Sequence, residues 1–233
     1  MRALETIVTG TDKTGSKHRT QLQIARGARR ASNRIRRLHH HAVRTNDMEA
    51  TRHFYEDIVG MPLVSALKEK THTAGRETPF LHCFFEMGDG GCLAFFQFLP
   101  DAMEPASNLP PDGIDHHIAM AVPDFDDIVT LKTRFDMLEL ANCGIDHGFC
   151  YSLYVRDPNG MLVEFVSDAE NELEINEAAA AAAHDELAKW NSKNYAVNNL
   201  ERGSQRYPLP TSPVEIILKV VRGDRVKQAL GRP

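Results

Sequence analysis

The chain has 233 residues, 42% hydrophobic and 25% charged, with a net charge of -5. That is the composition of a globular protein able to bury a core, and its negative balance gives no electrostatic case for nucleic acid as a partner. No apolar run is long enough to span a bilayer, so no membrane role is expected. Cys83, Cys92, Cys143 and Cys150 form no Cys-x-x-Cys pair and read as free thiols in a reducing, cytoplasmic compartment.

Residues 1–37 are polar and rich in Arg, with no apolar signal core, and are expected to form a basic, flexible leader, disordered or loosely helical. A first module spans 38–98. Its opening strand, Leu38 to Thr45, leads to Asp47, a suitable helix N-cap. The helix from Met48 to Val59 carries Phe54, Tyr55 and Ile58 at helical spacing and is stopped by Gly60 and Pro62. Strands follow at about Leu63 to Lys68, Phe80 to Met87 and Cys92 to Phe98. Residues 99–114 are a linker with four prolines.

The pattern then restarts. Asp115 to Asp124 repeats Leu38 to Asp47 position for position, each copy with a His seven residues before the Asp. A helix of about Phe125 to Leu138 and a short strand near Leu140 come next. Two strands within Ile145 to Glu164 follow, joined by the turn Asp157-Pro158-Asn159-Gly160. The second module thus spans 115–168. Two tandem strand–helix–strand–strand–strand (βαβββ) units make an α+β protein, and such a repeat outweighs any single motif in it. Residues 169–233 hold a helix from Glu172 to Trp190, through the Ala178–Ala183 run, and an extended tail. Val214 to Val221 is a candidate strand there, and the tail is expected to pack on the protein or contact another copy.

Strand alternation selects the histidines that can act together. His40, Ala42 and Arg44 share one face of the first strand, and His117, Ala119 and Ala121 share the equivalent face of its repeat. His116, Ile118, Met120 and Val122 face the core. Glu164 lies among apolar neighbours, where a carboxylate is costly unless a cation meets it. Two His in register, each followed by a small Ala, and one carboxylate are the ligand set of a non-haem Fe(II) facial triad. His40, His117 and Glu164 are therefore the expected metal ligands. His53 and His184 read as solvated, and His82 stays open.

The repeat resembles the vicinal oxygen chelate superfamily, which includes glyoxalase I, bleomycin- and fosfomycin-resistance proteins and type I extradiol dioxygenases. The resemblance covers about Leu38 to Asp168 and implies that the two modules form a cupped, barrel-like mixed sheet with the metal inside. Ile145, His147, Leu153, Tyr154, Asp157, Pro158, Gly160 and Glu164 fit the extradiol signature. By that resemblance Glu164 is the third iron ligand, Tyr154 a catalytic phenol near iron and substrate, and His147 a catalytic residue near the cavity mouth. Aligning Gly91 with Gly160 sets Phe95 at the place of Glu164, where glyoxalase I has a fourth ligand. The family's acid–base His before Leu93 is missing, which leaves its task to His147, His82 or water. The implied function is Fe(II)-dependent cleavage, with O2, of a catechol-like aromatic diol in aromatic hydrocarbon catabolism, by a homo-oligomer. Mn(II) and Zn(II) are the alternative metals. The alternative functions are a glyoxalase-like lyase or isomerase, a thiol transferase, or a ligand-sequestering resistance protein.

Overall fold

A computed structural model describes residues 13–73, 76–99 and 116–199. The first twelve residues, nearly all of the Pro-rich linker, and the tail from 200 on with its candidate strand lie outside the described residues. The described residues divide into two compact units, those of 13–36 with 170–197 and those of 37–169 with 198–199. No helix among the described residues is long and apolar enough to cross a membrane.

In the first unit, helix α1 (Lys13–Ser32) pairs with helix α4 (Glu172–Asn191). Arg26 meets Glu172 at 2.7 Å and Glu177 at 3.0 Å, and Arg29 meets Glu177 at 2.6 Å. Of the two forms open to the basic leader, disordered or helical, residues 13–32 take the helical one. Their guanidiniums have carboxylate partners about 150 positions away, which composition does not reveal. Arg29 first, then Arg26, draws the Glu177 carboxyl down to about 2.

The second unit is α+β and contains both βαβββ modules. The first module runs β1 (His40–Arg44), α2 (Met48–Arg52), β2 (Leu63–Thr73), β3 (Arg76–Glu86) and β4 (Cys92–Phe98). The second runs β5 (His117–Ala121), α3 (Phe125–Met137), β6 (Asn142–Asp146), β7 (Cys150–Arg156) and β8 (Leu162–Asp168). Each makes its own four-stranded mixed sheet, in the orders β1-β4-β3-β2 and β5-β8-β7-β6. The opening strand of each module is an edge strand, parallel to the module's last strand.

Equivalent caps start the two helices. The Asp47 side chain accepts from Ala50 N, and that of Asp124 accepts from Asp126 N and Asp127 N. Helix α2 continues as a π-helical turn over His53–Val59, where Gly60 N and Met61 N both donate to Tyr55 O. Gly60 closes it at φ 97°, a left-handed conformation that suits glycine. Phe54 stacks on Phe135 of α3, and Phe135 packs on Phe165 of β8. One hydrophobic core thus joins the helix-facing sides of both modules, and Arg134 donates to the Ile58 carbonyl across it.

The turn between β7 and β8 is locked from within. The Asp157 carboxylate is fully buried and accepts from Asn159 N, Met161 N and the Tyr55 hydroxyl, the last at 3.0 Å. Burial raises the Asp157 pKa, and these hydrogen bonds oppose the rise. Gly160 takes φ 82° to complete the turn. This lock fixes the start of β8, which carries Glu164.

Candidate metal centre

The side of each sheet turned away from the helices carries the candidate residues. His40, Ala42, His117, Ala119 and Ala121 are all exposed, whereas Met120 on the opposite face is buried. The alternation read from the sequence therefore holds for these positions, whereas His116, expected to face the core, is exposed.

In the second sheet Ala119 and Tyr154 both lie opposite Glu164 in register. The Glu164 carboxylate is 6% exposed, and its Oε2 stands 2.8 Å from His117 Nε2. Tyr154 sets its ring edge-on to His117 at 6.0 Å and shares a 3.1 Å hydrogen bond with His147 Nε2. Burial first, then the charge of Glu164, holds the Tyr154 phenol protonated well above its ordinary range. His147 sits at the turn into β7. Asp146 anchors Gly148 N there, and Asn199 Nδ2 donates to the His147 carbonyl. A row His147–Tyr154–Glu164–His117 thus crosses the sheet. Cys150 lies beside it, but burial pushes its thiol up to about 11, so it is no thiolate nucleophile at neutral pH.

His40 lies on the first sheet, its ring edge-on to Phe84 at 5.7 Å and its Nδ1 2.8 Å from His39 Nδ1. Among the described residues no three His, Cys, Asp or Glu side chains come close enough together to hold a metal ion. His117 and Glu164 are therefore brought together within one chain, and His40 does not join them. Two donors bound at right angles to one ion, each at about 2.1 Å, stand about 3 Å apart. The 2.8 Å between His117 Nε2 and Glu164 Oε2 is a hydrogen-bond distance that is also compatible with such a pair, so these two side chains could face one ion together.

The register corrects the alignment of the two modules. Ala94 lies opposite Ala42 and Phe84, just as Glu164 lies opposite Ala119 and Tyr154. Ala94, not Phe95, therefore stands at the place of Glu164. Gly90, with φ 76°, is the turn counterpart of Gly160, and the neighbouring Gly91 had shifted the sequence match by one. Phe95 is instead a fully buried core residue against Tyr55. Alanine cannot ligate a metal either, so the first module supplies no carboxylate at this position.

Residues 37–165 match the model of the Glyoxalase/Bleomycin resistance protein/Dioxygenase superfamily. The chain belongs to this superfamily. A Bacillus subtilis (strain 168) relative, the uncharacterized protein YwbC, is 30% identical over 136 residues, covering 56% of this chain and 96% of its own. Among solved structures, lactoylglutathione lyase from Agrobacterium tumefaciens is 25% identical, with a TM-score of 0.42, over 58% of this chain and 96% of that one. A glyoxylase/bleomycin resistance protein/dioxygenase domain from Frankia sp. EAN1pec is 15% identical, with a TM-score of 0.47, over 59% and 95%. TnmS3, an antibiotic-binding protein from Streptomyces sp. CB03234, is also 15% identical, with a TM-score of 0.40, over 59% and 99%. The superfamily's own description joins glyoxalases and dioxygenases with bleomycin-resistance proteins.

His82 is the residue that sequence reasoning left undecided. It is buried on the same side of the first sheet as His40, between Phe84 and Phe96. Its position opposite Phe96 in the β3–β4 register is the signal that places it there.

Proposed function

We propose that this protein is a metal-dependent oxygenase of the extradiol type, acting on a catechol-like aromatic diol with O2. His117 and Glu164 of one chain hold an Fe(II) ion, and His40 of a second copy completes the ligand set. The observation that carries this reading is the buried Glu164 carboxylate 2.8 Å from His117 Nε2, with Tyr154 beside it. Two further observations support the second copy. Among the described residues His40 has no companions for a site in its own chain, and β1 and β5 are edge strands whose ligand-bearing faces are exposed. A two-fold dimer that brings β1 of one copy to β5 of the other makes two equal sites.

The metal, when bound, supplies a Lewis acid that gathers the diol oxygens and lowers their pKa. The chain's own residues do the rest. Tyr154 keeps its proton on Oη and can donate it as a hydrogen bond to a substrate oxygen. His147, hydrogen-bonded to that phenol, can receive or return a proton through it. The cysteine beside that row, Cys150, stays a thiol and takes no part. Ala42 and Ala119 leave the face beside each His uncrowded.

Oxygen and metal dependence test the reading. Fe(II)-loaded protein given a panel of catechols is expected to consume O2 and form a yellow ring-opened product, and Zn(II)-loaded protein to be inert. Activity that needs no O2, persists with Zn(II) and appears only with α-keto thiol adducts or epoxides would replace the oxygenase with a lyase or thiol transferase.

A further inference from the structure

Helix α4 carries large apolar side chains on a side that its neighbour α1 does not cover. Its first turns meet α1 through Leu173 and Glu177, both buried. Beyond them Ala179, Ala183, Leu187 and Trp190 recur at helical spacing and share one side of the helix. That side lies roughly a third of a turn round from Glu177. All four residues are exposed, Leu187 by 57% and Trp190 by 62%. Tyr195 stands edge-on to Trp190 at 4.7 Å and is itself exposed. A Leu and a Trp so open to water on a regular helix mark a surface built to be covered.

The order of sizes along that side indicates what covers it. Two small residues come first and two large ones follow. Laid antiparallel on the same side of a second α4, Leu187 meets Ala183 and Trp190 meets Ala179. Both pairs share a midpoint within one position of Asp185, as a two-fold axis there requires. The small residues let the helix axes approach, and the large ones fill the space between them. Parallel pairing would set Trp190 against Trp190 at one end and leave a void between alanines at the other. Asp185 itself points to the far side of the helix, so the carboxylates of the two copies do not meet.

We propose that α4 docks antiparallel on α4 of a second copy of this chain, with Leu187 and Trp190 of each copy over Ala183 and Ala179 of the other. The inference goes beyond the proposed function. Its surface lies outside residues 37–165, which match the superfamily, and it needs no metal. The helical overlap from Ala179 to Asn191 is about 18 Å long. That is short beside a full-sized interface, so the contact by itself is weak and reversible.

The test links copies through cysteine. Full-length chains with Ala183→Cys and full-length chains with Leu187→Cys are produced together, purified reduced, and oxidised, with wild type as the background for the native thiols. The mixture is expected to give a disulfide-linked heterodimer, identified by mass, several-fold in excess of what either variant forms with itself. Trp190 is the only tryptophan of the chain, so its fluorescence reports the same contact. Acrylamide should quench wild type several-fold less than Ala183→Glu, which keeps a good helix former but puts a charge in the contact. Linked product no more abundant in the mixture than in each variant alone overturns the proposal, and so does equal quenching of wild type and Ala183→Glu. Shielding of Trp190 that Ala183→Glu removes, without any link between copies, also overturns it, since a segment of the same chain is then the cover. A linked heterodimer in a protein whose metal needs no second copy leaves this inference standing. A two-copy metal centre without the helix contact overturns this inference alone.

Discussion

The two modules share a chain path and differ in chemistry. Both open on an edge strand bearing an exposed His followed by a small Ala, and both cap the next helix with Asp. On the strands beside that His the likeness ends. Ala94 stands in the place of Glu164, Phe84 in that of Tyr154, and His82 in that of Ser152. The first sheet is therefore aromatic around its histidines, and the second is acidic and hydrogen-bonded. Duplication retained an exposed His at the same place in each copy, while the strands beside it diverged in side-chain chemistry.

The largest effect is expected where the modules differ by one oxygen atom. Tyr154→Phe gives the second sheet the residue that the first has at Phe84. It should leave metal content unchanged and lower turnover by roughly ten- to ten-thousand-fold, the range of a positioned proton donor. Metal analysis beside steady-state rates checks this. Unchanged turnover with a lower melting temperature would make Tyr154 a packing residue.

Phe135→Ala breaks what the modules have in common. Phe135 stacks on Phe54 of one module and packs on Phe165 of the other, so its loss opens a cavity in the shared core. A cost of about 3–5 kcal/mol is expected in denaturant unfolding. A cost near zero would mean that the two modules do not share that core in solution.

A smaller, pH-dependent effect belongs to the helical pair and should spare both sheets. The Glu177 carboxyl is lowered to about 2 from its ordinary 4.5 by Arg29 and Arg26. Its folded value lies below its unfolded one, so its contribution is present above pH 4.5 and is lost as pH falls toward 2. The stability advantage of wild type over Glu177→Gln should shrink across that window. An advantage constant from pH 6 to pH 2 would contradict the ion-pair account.

Much of this was legible in the residues. The repeat, the two Asp caps, the breaker Gly60 and the alternation of His40 and His117 with small residues are local signals, and local signals survive folding. The register between modules was misread by one residue because Gly90 and Gly91 offer two candidates for one turn. The strand register and the positive φ at Gly90 decide between them. The Arg26–Glu172 pair and the Glu69–His82 neighbourhood join distant or separately paired segments and leave no periodic trace. His40 shows the deeper reason. Its equivalence to His117 is written in the repeat, but whether the two meet depends on how modules are arranged, which no strand pattern encodes.

Complementation between variants tests most directly whether the metal centre is assembled from two copies. His40→Ala and Glu164→Ala homodimers are each expected to lack metal, since every site in either one has lost a ligand. After the two are unfolded together and refolded as a mixture, half of the dimers are mixed, and each mixed dimer has one intact site. About a quarter of the wild-type metal content and activity should return, as a two-fold arrangement requires. No recovery in a mixture shown to contain mixed dimers, or full metal content in either single variant, would contradict the account.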